Sequence, residues 1–100
     1  PTPSLLWEAY GLPKPVLEHP FAKEVGRKYR FDWAWLDQKI AVEQEGGLWA
    51  RYRGGHTHPM HIKRDMEKGN LAAKMGWRVF RFTPEEIMKG TAQSFIAELF

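Results

Sequence analysis

The stretch Arg30 to Gly47, RFDWAWLDQKIAVEQEGG, decides the fold because it carries the pattern of a β-hairpin. An aromatic-rich run leads to a polar break at Asp37 and Gln38, and a second run, Lys39 to Glu45, follows. If the break is a two-residue connection, residues that face each other across the hairpin have numbers with a constant sum. The facing pairs are then Leu36 with Lys39, Asp32 with Glu43, and Arg30 with Glu45.

This hairpin would bring acidic side chains together on one face. Side chains alternate between faces along a strand, and facing residues have Cβ atoms about 5 Å apart. Asp32, Glu43 and Glu45 would therefore crowd one another, and like charges directly opposite destabilise a sheet. Carboxylates are hard oxygen ligands, so the pattern favours a site for Mg²⁺, with Mn²⁺ as a substitute. The alternative is a solvated strand face on which Arg30 and Lys39 balance the carboxylates.

The composition favours one small intracellular domain that spans residues 1–100. The chain has 100 residues, 43% of them hydrophobic, which suffices for a single core. It contains no cysteine, which excludes disulfides and thiolate zinc sites and gives no sign of secretion. Without a signal-peptide pattern or an apolar run near the ~20 residues of a membrane span, no membrane partner is expected. The net charge of +3 and the pI near 9.4 are compatible with binding to nucleic acid.

The remaining segments complete an α/β (α+β) domain with the element order αβββαβα, in which the last α stands for the two helices after the final strand. Helical spacing of apolar residues, strand alternation and end signals define them. The predicted elements are a short helix capped by Ser4, an edge strand over Val16 to Phe21, a basic turn over Ala22 to Lys28, a helix over Met60 to Met75, a strand over Trp77 to Phe82, a helix begun by the capping box of Thr83, Pro84 and Glu86, and a last helix capped by Thr91. Together they predict a mixed sheet of about four strands with helices packed on it.

The loop Leu48 to Pro59, LWARYRGGHTHP, places basic and aromatic residues directly after the acidic strand. Arginine provides charge for phosphates, and aromatic rings stack on exposed bases. Arg51 and Arg53 are therefore candidate DNA contacts, beside Trp49 and Tyr52.

The histidines near this loop permit a different interpretation. His56, His58 and His61 lie in a short span and could hold a metal ion, as in nucleases of the HNH type. Such a site requires a second histidine inside the helix that follows, and no histidine comes after His61. We therefore interpret these histidines as structural or DNA-contacting residues.

Several segments of the chain, in order, resemble the PD-(D/E)XK nuclease superfamily and, within it, the small phage-type (archaeal-like) Holliday junction resolvases. The segments that carry the resemblance are GLPKPVLEHPF, RKYRFDWAW, AVEQEGGLW with GGH close behind, and DMEKGNLAAKMGWRVFRFTPEEI. They run from about Gly11 to Ile87 and include most of the chain. The segments around Asp32 and Glu43 match the two core acidic motifs of the superfamily.

The resemblance implies a restriction-endonuclease-like fold, Mg²⁺-dependent phosphodiester cleavage and a homodimer, in the bacterial cytoplasm if a phage encodes the protein. It implies that Asp32, Glu43 and Glu45 are the metal-binding catalytic residues. The superfamily usually has lysine where this chain has Glu45, and Lys68 on the following helix is the candidate for the missing charge. Glu8 or Glu18 would be an additional acid near the metal. The candidate DNA-binding residues are Arg30, Arg51, Arg53, His56, Lys63 and Arg64.

The leading hypothesis is therefore a metal-dependent DNA endonuclease that resolves four-way junctions as a homodimer. One alternative is a very-short-patch-repair or restriction-like endonuclease that acts on duplex DNA. Another is a DNA-binding domain that keeps the nuclease fold without turnover. The apolar C-terminal segment is the candidate dimer surface, through Phe95, Ile96, Leu99 and Phe100.

Overall fold

The computed structural model describes residues 4–45 and 59–100. Its elements are α1 (Leu5–Glu8), β1 (Val16–His19), a 3₁₀ turn (Lys23–Val25), β2 (Phe31–Trp35), β3 (Ile40–Gln44), α2 (Pro59–Lys74), β4 (Arg78–Phe82), α3 (Pro84–Met88) and α4 (Thr91–Ala97). The predicted α+β architecture, a four-stranded mixed sheet flanked by helices, is confirmed. Within the described residues, no helix is both long and apolar enough to cross a membrane.

The sheet has the strand order β1-β2-β3-β4. The first three strands are antiparallel, and β4 pairs parallel to β3 after the crossover through α2. The predicted hairpin register is confirmed, because Trp33 pairs with Val42 and Trp35 with Ile40. The connection is the predicted one, and the Lys39 amide donates to the Leu36 carbonyl at 3.3 Å.

One face of the sheet carries the large residues, and we call it the tryptophan face. Trp33 and Trp35 project from β2, and Trp7 of α1 packs edge-on against both rings, with centroids 5.3 and 5.2 Å away. The cluster on this face consists of Trp7, Leu12, Trp33, Trp35, Ile40, Val42, Phe82, Ile87, Ala92 and Ile96. Helices α1, α3 and α4 cover it. Because Ile96 is fully buried here, it cannot belong to a dimer surface as the sequence suggested.

The opposite face combines four alanines with three aromatic residues, and we call it the alanine face. Its cluster consists of Phe21, Ala22, Phe31, Ala34, Ala41, Ala72 and Trp77. Helix α2 packs here, and Ala72 is its buried residue. The first two turns of α2 are exposed, whereas its later turns reach the sheet through Leu71, Ala72 and Met75.

Strand β2 departs from regular alternation at Asp32. Phe31 and Ala34 belong to the same cluster, although residues three apart on a regular strand project to opposite faces. Phe31 therefore lies on the opposite face of the sheet from Trp33 and Trp35. Neighbouring β1 is irregular at the same level, because Glu18 has φ +50°, in the left-handed region. The candidate functional site includes Asp32 and lies at the same level of the sheet.

The C-terminal helices begin as their sequences indicate, with one exception. The Thr83 hydroxyl accepts a hydrogen bond from the Glu86 amide, the Glu86 carboxylate accepts one from the Thr83 amide, and Pro84 follows, so the capping box is confirmed. The cap of α4 is Gly90 with φ +84°, not Thr91, because the chain turns sharply between α3 and α4 through a left-handed residue.

Candidate functional site

Charged side chains form a row across all four strands at one level of the sheet. Leu17 pairs with Trp33 and His19 with Phe31, so Glu18 lies level with Asp32. The next positions beyond the Trp33–Val42 pair are Asp32 and Glu43, and Glu43 pairs in register with Arg81 on β4. Each strand therefore contributes one member: Glu18, Asp32, Glu43 and Arg81.

Each predicted metal-binding carboxylate has a partner within the chain. Asp32 Oδ2 accepts a hydrogen bond from the backbone N–H of Gln44 at 2.8 Å, so the Asp32 side chain turns toward β3. Glu43 Oε1 lies 2.8 Å from Lys68 Nζ, and Glu45 Oε1 lies 3.6 Å from Arg81 Nε. The partners relieve the repulsion from which a metal was inferred, and sequence spacing did not reveal them.

The Glu43–Lys68 pair is partly buried under α2. The side chain of Glu43 is 13% exposed and that of Lys68 is 19% exposed. The ammonium also lies 6.0 Å from the centre of the Phe31 ring, within the range of a cation–π contact. Of the four predicted catalytic residues, the structure thus brings Glu43 and Lys68 into direct contact.

A cavity of about 540 Å³ opens beside this pair, between α2 and β4. It exists because α2 presents small residues to it, Gly69, Ala72 and Ala73, above a floor formed by Phe31, Trp77 and Val79. Glu43, Lys68 and Arg81 line it as charged groups. The cavity therefore joins an apolar floor to one carboxylate and two cations.

A second polar contact of α2 lies one residue before Lys68. Glu67 accepts hydrogen bonds from Arg27 Nε and from the Tyr29 hydroxyl, the latter at 3.2 Å. The hydrogen bond and charge of Arg27 hold the pKa of the Glu67 carboxyl below its usual value, against a smaller opposing effect of desolvation. Consecutive residues of α2 thus bind the segment before β2 and strand β3, which fixes the helix over the cavity.

Among residues 4–45 and 59–100, no three His, Cys, Asp or Glu side chains form a group that could hold a metal ion. The chemistry of the acids nevertheless suits a hard cation, because Asp32 and Glu43 provide carboxylate oxygens at one level of adjacent strands. Asp32 uses one oxygen for the Gln44 amide, and Oδ1 is its second donor atom. A Mg²⁺ ion at this place would take these two carboxylates, with water or phosphate as its remaining ligands.

The two candidates for an additional acid are separated by the sheet. Glu8 belongs to α1, which packs on the tryptophan face, away from Lys68 and the cavity. Glu18 is level with Asp32 and exposed. The topology therefore favours Glu18 over Glu8.

The candidate DNA contacts are dispersed. Arg30 is exposed just before β2, and Lys63 and Arg64 are exposed on the first turns of α2. His61 lies on the same exposed part of the helix. Arg51, Arg53, His56 and His58, together with Trp49 and Tyr52, lie outside the described residues.

Sequence reasoning missed Arg81 as a member of the site. The local sequence shows Arg81 only as one basic residue of an alternating strand. Nothing close to it in the chain indicates that β4 pairs parallel to β3. The signal that points to it is the crossover itself. A strand, a helix and a second strand predict a parallel pair, which makes β3 and β4 neighbours.

Comparison with known proteins finds distant relatives. The chain is similar to two uncharacterised proteins of Mycobacterium tuberculosis, from strains CDC 1551 and H37Rv, with 28% identity over 80 residues in each case. The matched region is 80% of this chain but 27% of each relative, so the chain spans about a quarter of the length of these proteins. No protein-family profile matches the chain. No solved structure matches it either.

Proposed function

We propose that the protein is a Mg²⁺-dependent DNA endonuclease that hydrolyses phosphodiesters and acts on four-way junctions as a homodimer. The observation that carries the proposal is the contact of Glu43 with Lys68 at the edge of a cavity, level with Asp32. Two carboxylates that could hold a divalent ion and a nearby ammonium that could neutralise phosphate charge suit metal-assisted phosphodiester hydrolysis. The resemblance of the motifs around Asp32 and Glu43 to the superfamily supports the same assignment.

Asp32 and Glu43 would hold the ion, with Glu45 as a third ligand or as the group that orients the attacking water. When bound, the ion supplies Lewis acidity for a phosphoryl oxygen and lowers the pKa of a coordinated water. Lys68 and Arg81 line the cavity and carry positive charge, so they would neutralise the charge that grows on the phosphate oxygens. Glu18 would act through water at the outer side of Asp32.

DNA is the proposed substrate because the described part of the chain carries cations at the cavity and at exposed positions on α2 and just before β2. Arg81 and Lys68 lie at the cavity, Lys63 and Arg64 extend along the exposed turns of α2, and Arg30 lies at the start of β2. Phosphate contacts of this kind fix the position of a nucleic acid without reading its sequence. Structure-selective cleavage therefore agrees with the site better than cleavage at one sequence.

The experiment is cleavage of labelled synthetic DNA by the full chain, with Mg²⁺ and with a chelator. A four-way junction, a splayed duplex and a linear duplex serve as matched substrates. We expect paired, symmetric nicks confined to the junction and dependent on Mg²⁺, since two sites on a two-fold dimer suit a two-fold junction. Cutting of the linear duplex, or at one sequence, would assign the protein instead to the repair or restriction nucleases.

A second candidate, a nuclease-fold domain that binds DNA without turnover, is favoured by one observation. Lys68 already neutralises Glu43, so the fold does not require a divalent ion to tolerate that carboxylate. Junction binding that is unchanged by a chelator, with no cleavage in Mg²⁺ or Mn²⁺, would support this candidate and overturn the endonuclease.

A further inference from the structure

The Glu43–Lys68 pair differs from an ordinary surface ion pair of the same protein. Lys89 and Glu85 of α3 lie 2.7 Å apart, but their side chains are 68% and 72% exposed. Glu43 and Lys68 are 13% and 19% exposed at a similar distance of 2.8 Å. Water screens the first pair well, whereas a partly buried carboxylate depends on its cation.

We infer that Lys68 is the removable counter-ion of the metal site, bound to Glu43 while no divalent ion is present and displaced when one binds. This inference rests on the proposed function and names how its site is regulated. A divalent ion and the ammonium are both cations, and they would compete for the same carboxylate. Contact of both with Glu43 at once would place like charges side by side in a partly buried place.

The cavity beside Lys68 has room for the displaced ammonium. Its side chain is long and flexible, and it borders the cavity of about 540 Å³ over the Phe31 ring. The backbone of α2 need not move, because Glu67 still binds Arg27 and Tyr29 when the ion pair of Lys68 with Glu43 breaks. The ammonium would then point into the open part of the cavity, where a phosphate between it and Arg81 has room.

Two effects of opposite sign follow from removing the lysine charge. The metal no longer competes with an ammonium for Glu43, so Mg²⁺ should bind more tightly. A phosphate in the cavity loses one of its two cations, so cleavage should be slower. A lysine that only holds the fold together would produce neither this pairing of effects nor a gain in metal affinity.

The experiment is titration of the full chain with MgCl₂ and, separately, MnCl₂ by calorimetry and by thermal unfolding, without DNA. For Lys68→Met we expect about tenfold tighter binding than wild type, which corresponds to about 1.4 kcal/mol of competition removed. We also expect a lower Tm in chelator and a larger rise in Tm on adding metal. Lys89→Met removes the same charge from the exposed pair of α3 and should bind metal as wild type does.

Lys68→Gln provides a second variant in case Lys68→Met does not fold, because it keeps a hydrogen-bond donor toward Glu43 without the charge. It should also bind metal more tightly than wild type, whereas Lys68→Arg, which keeps the charge, should not. Equal or weaker metal binding by the neutral variants, with normal binding by wild type, would overturn the counter-ion inference and leave the endonuclease in place. Absence of Mg²⁺ and Mn²⁺ binding in wild type and all variants would overturn the metal site itself.

Discussion

The two faces of the sheet are built from side chains of very different size. On the tryptophan face, Trp7, Trp33 and Trp35 interlock edge-to-face and are fully or nearly fully buried. On the alanine face, Gly69, Ala72 and Ala73 of α2 leave room, and the cavity of about 540 Å³ opens beside Glu43 and Lys68. The tryptophan face is closely packed, whereas the alanine face leaves a cavity next to charged side chains.

This difference explains where the candidate site lies. Close packing on the tryptophan face buries large side chains, which contribute strongly to the stability of a small domain. The alanine face can then hold α2 with fewer apolar contacts and with the polar contacts of Glu67 and Lys68. The site thus occupies the face on which packing is least complete.

Truncating the tryptophan face should have the largest effect on stability. Trp7→Ala removes a fully buried ring that contacts Trp33 and Trp35, and large-to-small changes of this kind cost about 3–5 kcal/mol. Chemical denaturation should show this loss of unfolding free energy. Leu5→Ala, at an exposed position of the same helix, is the control and should cost far less. Similar losses for both variants would break the contrast between the buried and exposed sides of α1.

Adding a methyl group to a glycine should have opposite effects on the two faces. Gly90 has φ +84° and a Cβ there would overlap the Tyr10 hydroxyl, so Gly90→Ala should cost about 1–2 kcal/mol. Gly69 lies inside α2 with open space around its Cβ position, so Gly69→Ala should stabilise by about 0.5–1 kcal/mol. Denaturation midpoints measure both. A loss of stability in Gly69→Ala would contradict the presence of open space around the Cβ position of residue 69.

The polar attachment of α2 should give a small, pH-dependent effect. The folded-state pKa of Glu67 is lowered by Arg27, so its stabilising contribution is present above the ordinary carboxyl pKa and is lost as pH falls through the folded value. Glu67→Gln should therefore be less stable than wild type near about pH 7, and this difference in unfolding free energy should shrink as the pH falls below the ordinary carboxyl pKa. Urea denaturation over a series of acidic pH values tests this. Glu98→Gln, at an exposed glutamate after α4, is the control and should follow wild type.

Local patterns in the sequence predicted much of the fold. The Asp37-Gln38 break gave the hairpin register, and Thr83, Pro84 and Glu86 gave the capping box, because each depends on residues close in the chain. The sequence did not indicate on which face Phe31 lies, because the irregularity at Asp32 depends on contacts with Gln44 and on the conformation of Glu18. Local pattern cannot report such contacts between strands.

The site was predicted less completely than the fold. Asp32 and Glu43 follow from the hairpin, and Lys68 entered through the resemblance to nucleases that need a lysine. Its contact with Glu43 joins residues on β3 and α2 and is settled by how the helix packs. The pairing of Glu45 with Arg81 was missed, since it requires the parallel pairing of β3 with β4.

The measurement that tests the central claim most directly is single-turnover cleavage of a labelled four-way junction by wild type, Asp32→Asn and Asp37→Asn, in Mg²⁺ and in chelator. Asp37 lies in the turn of the same hairpin, so its variant matches the chemical change away from the site. We expect Asp32→Asn to bind the junction and fold normally but to lose cleavage, whereas Asp37→Asn cleaves as wild type does. Full cleavage by Asp32→Asn would contradict the assignment of Asp32 and Glu43 to the catalytic site.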